Sequence, residues 1–165
     1  MPNKNTFQIK PIKNLLLKII KQQDIIIDPF ARNSTWTEYS NGLNPMTSAK
    51  YHLQANDFCD YLYSQNIIAD VILFDPPYSP RQISECYKAA GLTASMRDTQ
   101  NARFYKEIRI ALDKLLKPKG ITISFGWNSV RFGKNYIIEE ILLVSQGAHN
   151  DTICTVCKKL EYILD

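Results

Sequence analysis

The sequence predicts an α/β fold with a mainly parallel β-sheet and one antiparallel strand. Short apolar segments rich in β-branched residues alternate along the 165-residue chain with longer segments whose apolar residues recur every three or four positions. This alternation is the pattern of strands and helices in a parallel sheet. The last two strand-like segments, residues 136–145 and 152–160, are joined by a short turn. Such a terminal hairpin adds the antiparallel strand.

The predicted elements at the start of the chain are a helix over residues 13–23 and a short buried strand over residues 25–28. The apolar face of the helix consists of Leu16, Leu17, Ile19 and Ile20. Residues 29–37 are too few for a crossover helix, which with its loops takes about a dozen or more residues. Either that helix is missing or the second strand lies elsewhere.

The rest of the chain is predicted to alternate regularly. Helices cover residues 57–65, 81–90 and 100–116, and strands cover residues 70–74 and 120–125. Gly91 ends the second of these helices, and Pro118 lies beyond the end of the third. Because no repeat or low-complexity linker interrupts the chain, we expect a single domain over residues 1–165.

The segment Asp75-Pro76-Pro77-Tyr78 directly follows the predicted strand over residues 70–74. The exocyclic amine of a nucleobase attacks an electrophile only when its nitrogen is drawn toward tetrahedral geometry, and two hydrogen-bond acceptors can do this. The Asp75 carboxylate offers one acceptor, and the Pro76 carbonyl offers another in a direction that the prolines restrict. The Tyr78 ring offers a flat surface for a base taken out of a duplex. A strand that runs into a proline-rich turn, without chemistry, is the competing interpretation.

This segment resembles the acceptor motif of the amino-methylating DNA methyltransferases, which has the form Asp/Asn/Ser-Pro-Pro-Tyr/Phe/Trp. The resemblance implies a Rossmann-like class I methyltransferase fold, S-adenosylmethionine as the cofactor and DNA as the partner. The catalytic residues that it implies are Asp75, Pro76, Pro77 and Tyr78. The order of the motifs matches family members that have no separate target-recognition domain inserted between them.

Residues 25–35, Ile-Ile-Ile-Asp-Pro-Phe-Ala-Arg-Asn-Ser-Thr, resemble the cofactor motif of the same family, usually Asp-Pro-Phe-x-Gly-Ser-Gly-Thr. The residues implied to bind S-adenosylmethionine are Asp28, Pro29, Phe30 and Ala31. Arg32 and Ser34 replace both glycines of the motif. We therefore expect that this loop cannot approach the cofactor as closely as glycine would allow.

The resemblance implies further cofactor-binding positions. Phe7 lies in a segment similar to the family's leading motif, which covers the methionine end of the cofactor. Asp57 and Phe58 stand where the family often places an acid on the adenine amine and an apolar side chain on the adenine face, although Asp57 could equally be a helix N-cap. The family has an acid for the ribose hydroxyls near the position where this chain has Asn44. Because Asn44 is not an acid, we expect modest cofactor affinity.

Three predicted segments, residues 75–78, 126–129 and 147–151, follow strands at one edge of the sheet. Ligands of open α/β sheets bind at this carboxyl edge. The candidates for contacts with the target base are Trp127, Asn128, His149 and Asn150. Simple packing of a tryptophan and the ordinary preference of turns for polar residues are the competing interpretations.

The net charge is +4, and basic residues gather in and around the longest predicted helix. They include Arg97, Arg103, Lys106, Arg109, Lys114, Lys117 and Lys119. Such side chains could neutralise DNA phosphates, and Arg97 and Arg103 are candidate contacts. A helix that faces solvent would have a similar composition.

The sequence argues against membrane and metal-binding classes. No segment is long and apolar enough to span a bilayer, and the start lacks the apolar core of a secretory signal, so we expect a soluble, cytoplasmic protein. Cys154 and Cys157 have half the spacing pattern of a zinc site, but residues three apart in a strand point to opposite faces. We expect free thiols and no metal.

Together these features predict a DNA adenine methyltransferase that uses S-adenosylmethionine. Methylation of cytosine N4 is the close alternative because the motif chemistry is the same. A degenerate accessory subunit that binds cofactor or DNA is a second alternative, and RNA or a protein amide as substrate is a third. Because little of the chain is left for reading a target site, specificity could be low, or it could come from the loop after Tyr78, from a homodimer or from a recognition partner.

Overall fold

The computed structural model describes residues 6–99, 101–147 and 149–161. After a 3-10 turn at Thr6–Gln8, the elements are α1 (Lys10–Ile19), β1 (Ile26–Asp28), β2 (Tyr39–Ser40), α2 (Ala55–Ser64), β3 (Ala69–Phe74), α3 (Pro80–Ala89), α4 (Met96–Thr99), α5 (Asn101–Lys114), β4 (Leu116–Gly126), β5 (Tyr136–Gln146) and β6 (His149–Lys159). Within these residues, six strands form one sheet in the order β2-β1-β3-β4-β6-β5. Five of these strands point in one direction, and β6 points in the opposite direction. The predicted sheet is confirmed.

The two faces of the sheet are buried by different helices. Ile72 and Phe74 of β3 belong to a core that includes residues of α2 and α5, whereas Val71 and Leu73 belong to a core with α1. Successive side chains of a strand point to opposite faces, which explains this division. Cys154 and Cys157 also divide between the two cores, as their spacing in a strand predicts.

The first helix lies three to four residues earlier than predicted. Pro11 stands in the first turn of α1, where the missing N–H of proline costs no helical hydrogen bond. Its buried face is Ile12, Leu15 and Leu16, whereas Leu17, predicted to be on that face, is 60% exposed. The predicted helix began too late because Pro11, taken from the sequence alone, is a residue that breaks helices.

The helix between the first two strands is missing, which was one of the two alternatives. β2 pairs directly with β1 in parallel, with Asp28 opposite Ser40, and residues 29–38 connect them without a helix. The connection is therefore a loop at the carboxyl edge of β1. This loop is available to form a ligand site.

Further differences from the prediction lie in the second half of the chain. β4 begins at Leu116, because its register against β3 shifts between Ala69 and Val71 and takes up the extra residues. β6 begins at His149, three residues earlier than predicted, next to a turn in which Gly147 has φ +65°. Residues 96–99 form the short helix α4 rather than a loop. Among the described residues, no helix has the length and apolarity needed to cross a membrane.

Candidate active site

The Asp75–Tyr78 segment is a fixed turn between β3 and α3. The Tyr78 hydroxyl donates a hydrogen bond of 2.6 Å to Asp75 Oδ1. The Tyr78 backbone N–H donates a hydrogen bond of 2.6 Å to Gln82 Oε1 in the first turn of α3. Ser79 caps this helix by accepting a hydrogen bond from the Gln82 backbone N–H. The sequence therefore fixes the carboxylate and the ring relative to each other and to the sheet.

Burial raises the pKa of Asp75 above its ordinary value. Hydrogen bonds from Tyr78 and Thr6 and the positive charge of Arg32 act in the opposite direction. The pKa of the Tyr78 phenol is also raised, by burial and by the neighbouring Asp75 carboxylate. Tyr78 therefore stays a neutral hydrogen-bond donor at ordinary pH.

Two of the three predicted segments meet at the carboxyl edge of the sheet. The rings of Tyr78 and Trp127 lie with their centroids 5.6 Å apart at a tilt of 42°, and a Cβ on Gly126 would lie 3.9 Å from the Tyr78 ring. Trp127 is 45% exposed, so its ring is open to a ligand. Asn128 is exposed beside it.

The third segment, the β5–β6 hairpin, lies at the same edge because Ile153 pairs with Gly126. His149 and Asn150 are the first residues of β6 rather than turn residues, and His149 pairs with Gln146. The side chains of His149, Asn150, Arg97 and Arg103 lie outside the described part of the structure. Their proposed contacts with a base or with DNA stay predictions.

A cavity of about 480 Å³ opens beside Asp75. We call it the large cavity; its wall includes Pro29, Phe30, Arg32, Asn44, Gln54, Asp75 and Glu85. It is bounded by the loop after β1, the segment after β2, the start of α2 and one side of α3. Small-molecule sites usually occupy about 300–1,000 Å³, so the large cavity has the size of a cofactor site.

A second cavity of about 40 Å³, called the small cavity, lies between the 3-10 turn and the loop after β1. Phe7 and Ala31, two predicted cofactor residues, are on its wall. Phe30, Arg32 and Asp75 line both cavities. The two spaces therefore adjoin at the candidate acceptor carboxylate.

The loop after β1 keeps the backbone conformation of a glycine despite its arginine. Arg32 has φ +49°, in the left-handed region that glycine adopts most easily. Arg32 thus keeps the backbone conformation that glycine favours, and the expectation that the loop cannot approach the cofactor as closely as glycine would allow stays a prediction. The arginine side chain adds a cation to a wall where glycine would leave none.

Asp28 stabilises the loop after β1 and does not line either cavity. It is fully buried, its Oδ1 accepts a hydrogen bond of 3.1 Å from the Phe30 backbone N–H, and its Oδ2 has no partner among the described residues. Burial raises the pKa of Asp28 well above its ordinary value, the Phe30 hydrogen bond lowers it, and Asp75 raises it further.

Asn41 is an organising residue that the sequence did not single out. Its side chain is buried and bridges two walls of the large cavity: Nδ2 donates to the carbonyls of Pro29 (3.2 Å) and Leu53 (3.0 Å), and Oδ1 accepts from the Leu53 N–H (3.0 Å). Asn44 does lie on the cavity wall, but its Oδ1 accepts a hydrogen bond from the Met46 N–H and stabilises the local turn.

The two residues at the start of α2 that were predicted to contact adenine do not line the large cavity. Phe58 is fully buried in the core, and Asp57 is exposed on the first turn, so neither lines the large cavity. Gln54 and Ala55 form the wall there. The N-cap alternative for Asp57 is also wrong, because α2 begins two residues earlier and its N-cap is Gln54.

Several basic side chains of the predicted DNA-facing surface contact aromatic rings or carboxylates of this chain. The Arg109 guanidinium lies over the rings of Phe74 and Phe132, at 5.3 and 5.7 Å from their centroids. Lys117 forms an ion pair of 2.8 Å with Asp70, and Lys119 forms one of 3.0 Å with Glu161. These residues contribute less free positive charge than the sequence indicates.

The strand order and the antiparallel β6 define a Rossmann-like class I methyltransferase fold. Neither a scan against protein-family models nor a search of curated proteins gave a match. Among solved structures, the chain is similar to TrmN from Thermus thermophilus, with 14% identity and a TM-score of 0.56 over 90% of this chain and 48% of that one.

Two further solved structures show the same fold. NSun6 from Pyrococcus horikoshii with SFG is 16% identical, with a TM-score of 0.53 over 86% of this chain and 49% of that one. A putative methylase from Haemophilus influenzae is 14% identical, with a TM-score of 0.51 over 92% of this chain and 88% of that one. The chain thus spans about half the length of TrmN and of NSun6.

Proposed function

We propose that this protein transfers the methyl group of S-adenosylmethionine to the exocyclic amine of adenine in DNA. The observation that carries the proposal is the position of Asp75: it lines the large cavity and accepts a hydrogen bond from Tyr78, whose ring packs against Trp127. A cavity of cofactor size, an acceptor carboxylate and two aromatic rings therefore adjoin. The similarity in fold to a putative methylase supports the methyl-transfer part.

The large cavity suits S-adenosylmethionine in size and in chemistry. Its volume of about 480 Å³ is in the range of small-molecule sites. The Phe30 ring, the Gln54 amide and the Glu85 carboxylate on its wall offer an apolar surface and polar groups to an adenosine. When bound, S-adenosylmethionine supplies an electrophilic methyl group on a sulfonium.

The residues of this chain bind and orient the acceptor base. The Asp75 carboxylate and the Pro76 carbonyl accept the two hydrogens of the amine, which directs the nitrogen lone pair toward the large cavity. Tyr78 and Trp127 hold the extruded base through their ring faces. Tyr78 also fixes the carboxylate through its hydrogen bond to Oδ1. Catalysis is mainly positioning, with the base and the methyl donor held in line. The amine nitrogen would gain the methyl group as the sulfur–methyl bond breaks, with S-adenosylhomocysteine as the leaving group, and the extra amine proton would pass to the Asp75 carboxylate or to water.

The test is incubation of the purified protein with unmethylated genomic DNA and isotope-labelled S-adenosylmethionine, followed by mass spectrometry of the nucleosides. Labelled N6-methyladenine is the expected result, and labelled N4-methylcytosine would identify the alternative base. The Asp75→Ala variant should lose methyl transfer by a factor on the order of a hundred or more, with cofactor binding largely kept. Retained activity in this variant would contradict the mechanism.

Calorimetry with S-adenosylhomocysteine separates the other outcomes. Cofactor binding without a labelled nucleoside would direct the search to RNA, to a protein amide or to a required recognition partner. Failure of the folded protein to bind S-adenosylhomocysteine would support the degenerate accessory subunit instead.

A further inference from the structure

Arg32 is the cation at the junction of the two cavities. It lies on the wall of both the large and the small cavity, together with Phe30 and Asp75. Its positive charge acts on the carboxyl of Asp75 and on the phenol of Tyr78. Arg32 is exposed, so its side chain is accessible to a ligand beside the candidate reaction centre.

The backbone at Arg32 favours glycine, yet the chain has an arginine there. With φ +49°, this position is in the left-handed region where a side chain is unfavourable. No acidic side chain forms an ion pair within 4 Å of Arg32 among the described residues. The side chain therefore has a charge that is available to a ligand.

The three groups on the sulfonium of S-adenosylmethionine suggest which part of it meets Arg32. The methyl must face the base held by Asp75, and of the two cavities beside Asp75 the large one has room for the adenosyl group. The aminocarboxypropyl group is left to extend along the junction toward the small cavity. A volume of about 40 Å³ holds roughly three water-sized groups, which is the size of a carboxylate.

We propose that Arg32 binds the carboxylate of the amino-acid part of S-adenosylmethionine and thereby sets the sulfonium beside Asp75. A guanidinium matches a carboxylate with two parallel N–H donors. This inference rests on the proposed function, since it assumes the same cofactor. It assigns a binding role to the residue that departs most from the glycine pattern of the cofactor loop.

The test compares two ligands that differ in the amino-acid part. S-adenosylhomocysteine has the carboxylate, and 5′-methylthioadenosine lacks it. Binding of each is measured by calorimetry for the wild type, Arg32→Gln, Arg32→Lys and Arg32→Gly. Arg131→Gln is the matched control, because Arg131 is exposed and lies outside both cavities.

Arg32→Gln and Arg32→Gly should weaken S-adenosylhomocysteine binding about tenfold or more, with 5′-methylthioadenosine binding unchanged. Arg32→Lys should keep part of the difference, and Arg131→Gln should bind both ligands like the wild type. Thermal melts establish that each variant is folded. Arg32→Gly, which suits the backbone at this position, keeps the test valid if Arg32→Gln folds poorly.

Equal losses for the two ligands, or no loss for either, would overturn the role of Arg32 while leaving the cofactor assignment standing. DNA binding is measured for the same variants, and a loss of DNA binding alone in Arg32→Gln would overturn the role in favour of a phosphate contact. If the wild type bound neither ligand, this inference and the proposed function would both fail.

Discussion

The Tyr78 hydroxyl donates a hydrogen bond of 2.6 Å to Asp75 Oδ1, so the stacking ring and the acceptor carboxylate of the candidate site are one unit. The bond holds the carboxylate in a single orientation at the end of β3. It also lowers the pKa of Asp75, which burial raises. Tyr78 therefore affects both the orientation and the protonation of this carboxylate.

The Tyr78→Phe variant separates the hydrogen bond from the ring. Because a hydrogen bond to a charged group contributes about 1.5–3 kcal/mol, we expect kcat for methyl transfer to fall roughly 10- to 100-fold. The KM for DNA should stay near the wild-type value, since the ring remains. Tyr78→Ala should also raise that KM. Steady-state kinetics on one oligonucleotide measure both, and wild-type kcat in Tyr78→Phe would show that the bond has no part in catalysis.

As the pH is lowered, the rate of methyl transfer should begin to fall at a higher pH than it would with an aspartate of ordinary pKa. Burial raises the pKa of Asp75, and only the charged carboxylate has both oxygens free to accept, one from the Tyr78 hydroxyl and the other from the amine. The rate therefore falls as the pH decreases through this raised pKa, above the ordinary value of about 4. In Tyr78→Phe, which lacks a hydrogen bond that lowers the pKa, the decrease should occur at a still higher pH.

The measurement is kcat against pH for the wild type, Tyr78→Phe and Asp75→Asn, with S-adenosylhomocysteine binding followed over the same range. Asp75→Asn should show residual activity without this acid limb. An acid limb near pH 4 in the wild type, unmoved in Tyr78→Phe, would contradict the assignment to Asp75.

The alternation of elements and the acceptor turn could be predicted from the sequence because they depend on local patterns. Strand β3 is a run of apolar residues, and the turn after it has two prolines. The predicted position of α1 was too late in the chain, because a proline such as Pro11 is compatible with a first helical turn although it breaks a helix elsewhere. The loop between β1 and β2 could be recognised as too short for a helix, but its pairing register depends on contacts between distant residues.

The cavity walls were less predictable because they depend on tertiary contacts. Asn41 acts through bonds to Pro29 and Leu53, each twelve positions away, and nothing local in the sequence distinguishes it from the other asparagines. Phe58 was placed on the cofactor by motif position, but its helical face directs it into the core. The φ of Arg32 is set by the fold of the whole loop.

Asn41→Ala should loosen the large cavity. The change leaves the carbonyls of Pro29 and Leu53 and the N–H of Leu53 without their present partner, and an unsatisfied buried group costs about 1–3 kcal/mol. We expect a free energy of unfolding lower by about this amount and weaker binding of S-adenosylhomocysteine. Urea denaturation and calorimetry measure the two effects.

Asn14→Ala on the exposed side of α1 is the control, and its free energy of unfolding is expected within about 0.5 kcal/mol of the wild type. Unchanged ligand affinity in Asn41→Ala would show that the bridge does not shape the cavity.

Asp28→Asn should stabilise the protein at neutral pH and lose this advantage in acid. Asp28 is fully buried with one oxygen unpaired among the described residues, and burial raises its pKa well above the ordinary value. The amide oxygen of asparagine can still accept the hydrogen bond from the Phe30 N–H. The variant therefore removes a buried charge while it keeps the support of the loop.

The sign of the pH dependence follows from linkage. In the wild type, the unfolded state releases the Asp28 proton near pH 4, whereas the folded state holds it to a higher pH. Wild-type stability therefore falls, relative to the variant, as the pH rises from about 4 through the raised folded-state pKa. Urea denaturation of both proteins across this range measures the difference, with Asp60→Asn as an exposed control on α2. A difference between wild type and Asp28→Asn that stays constant with pH would mean that the folded protein accommodates the Asp28 charge without penalty.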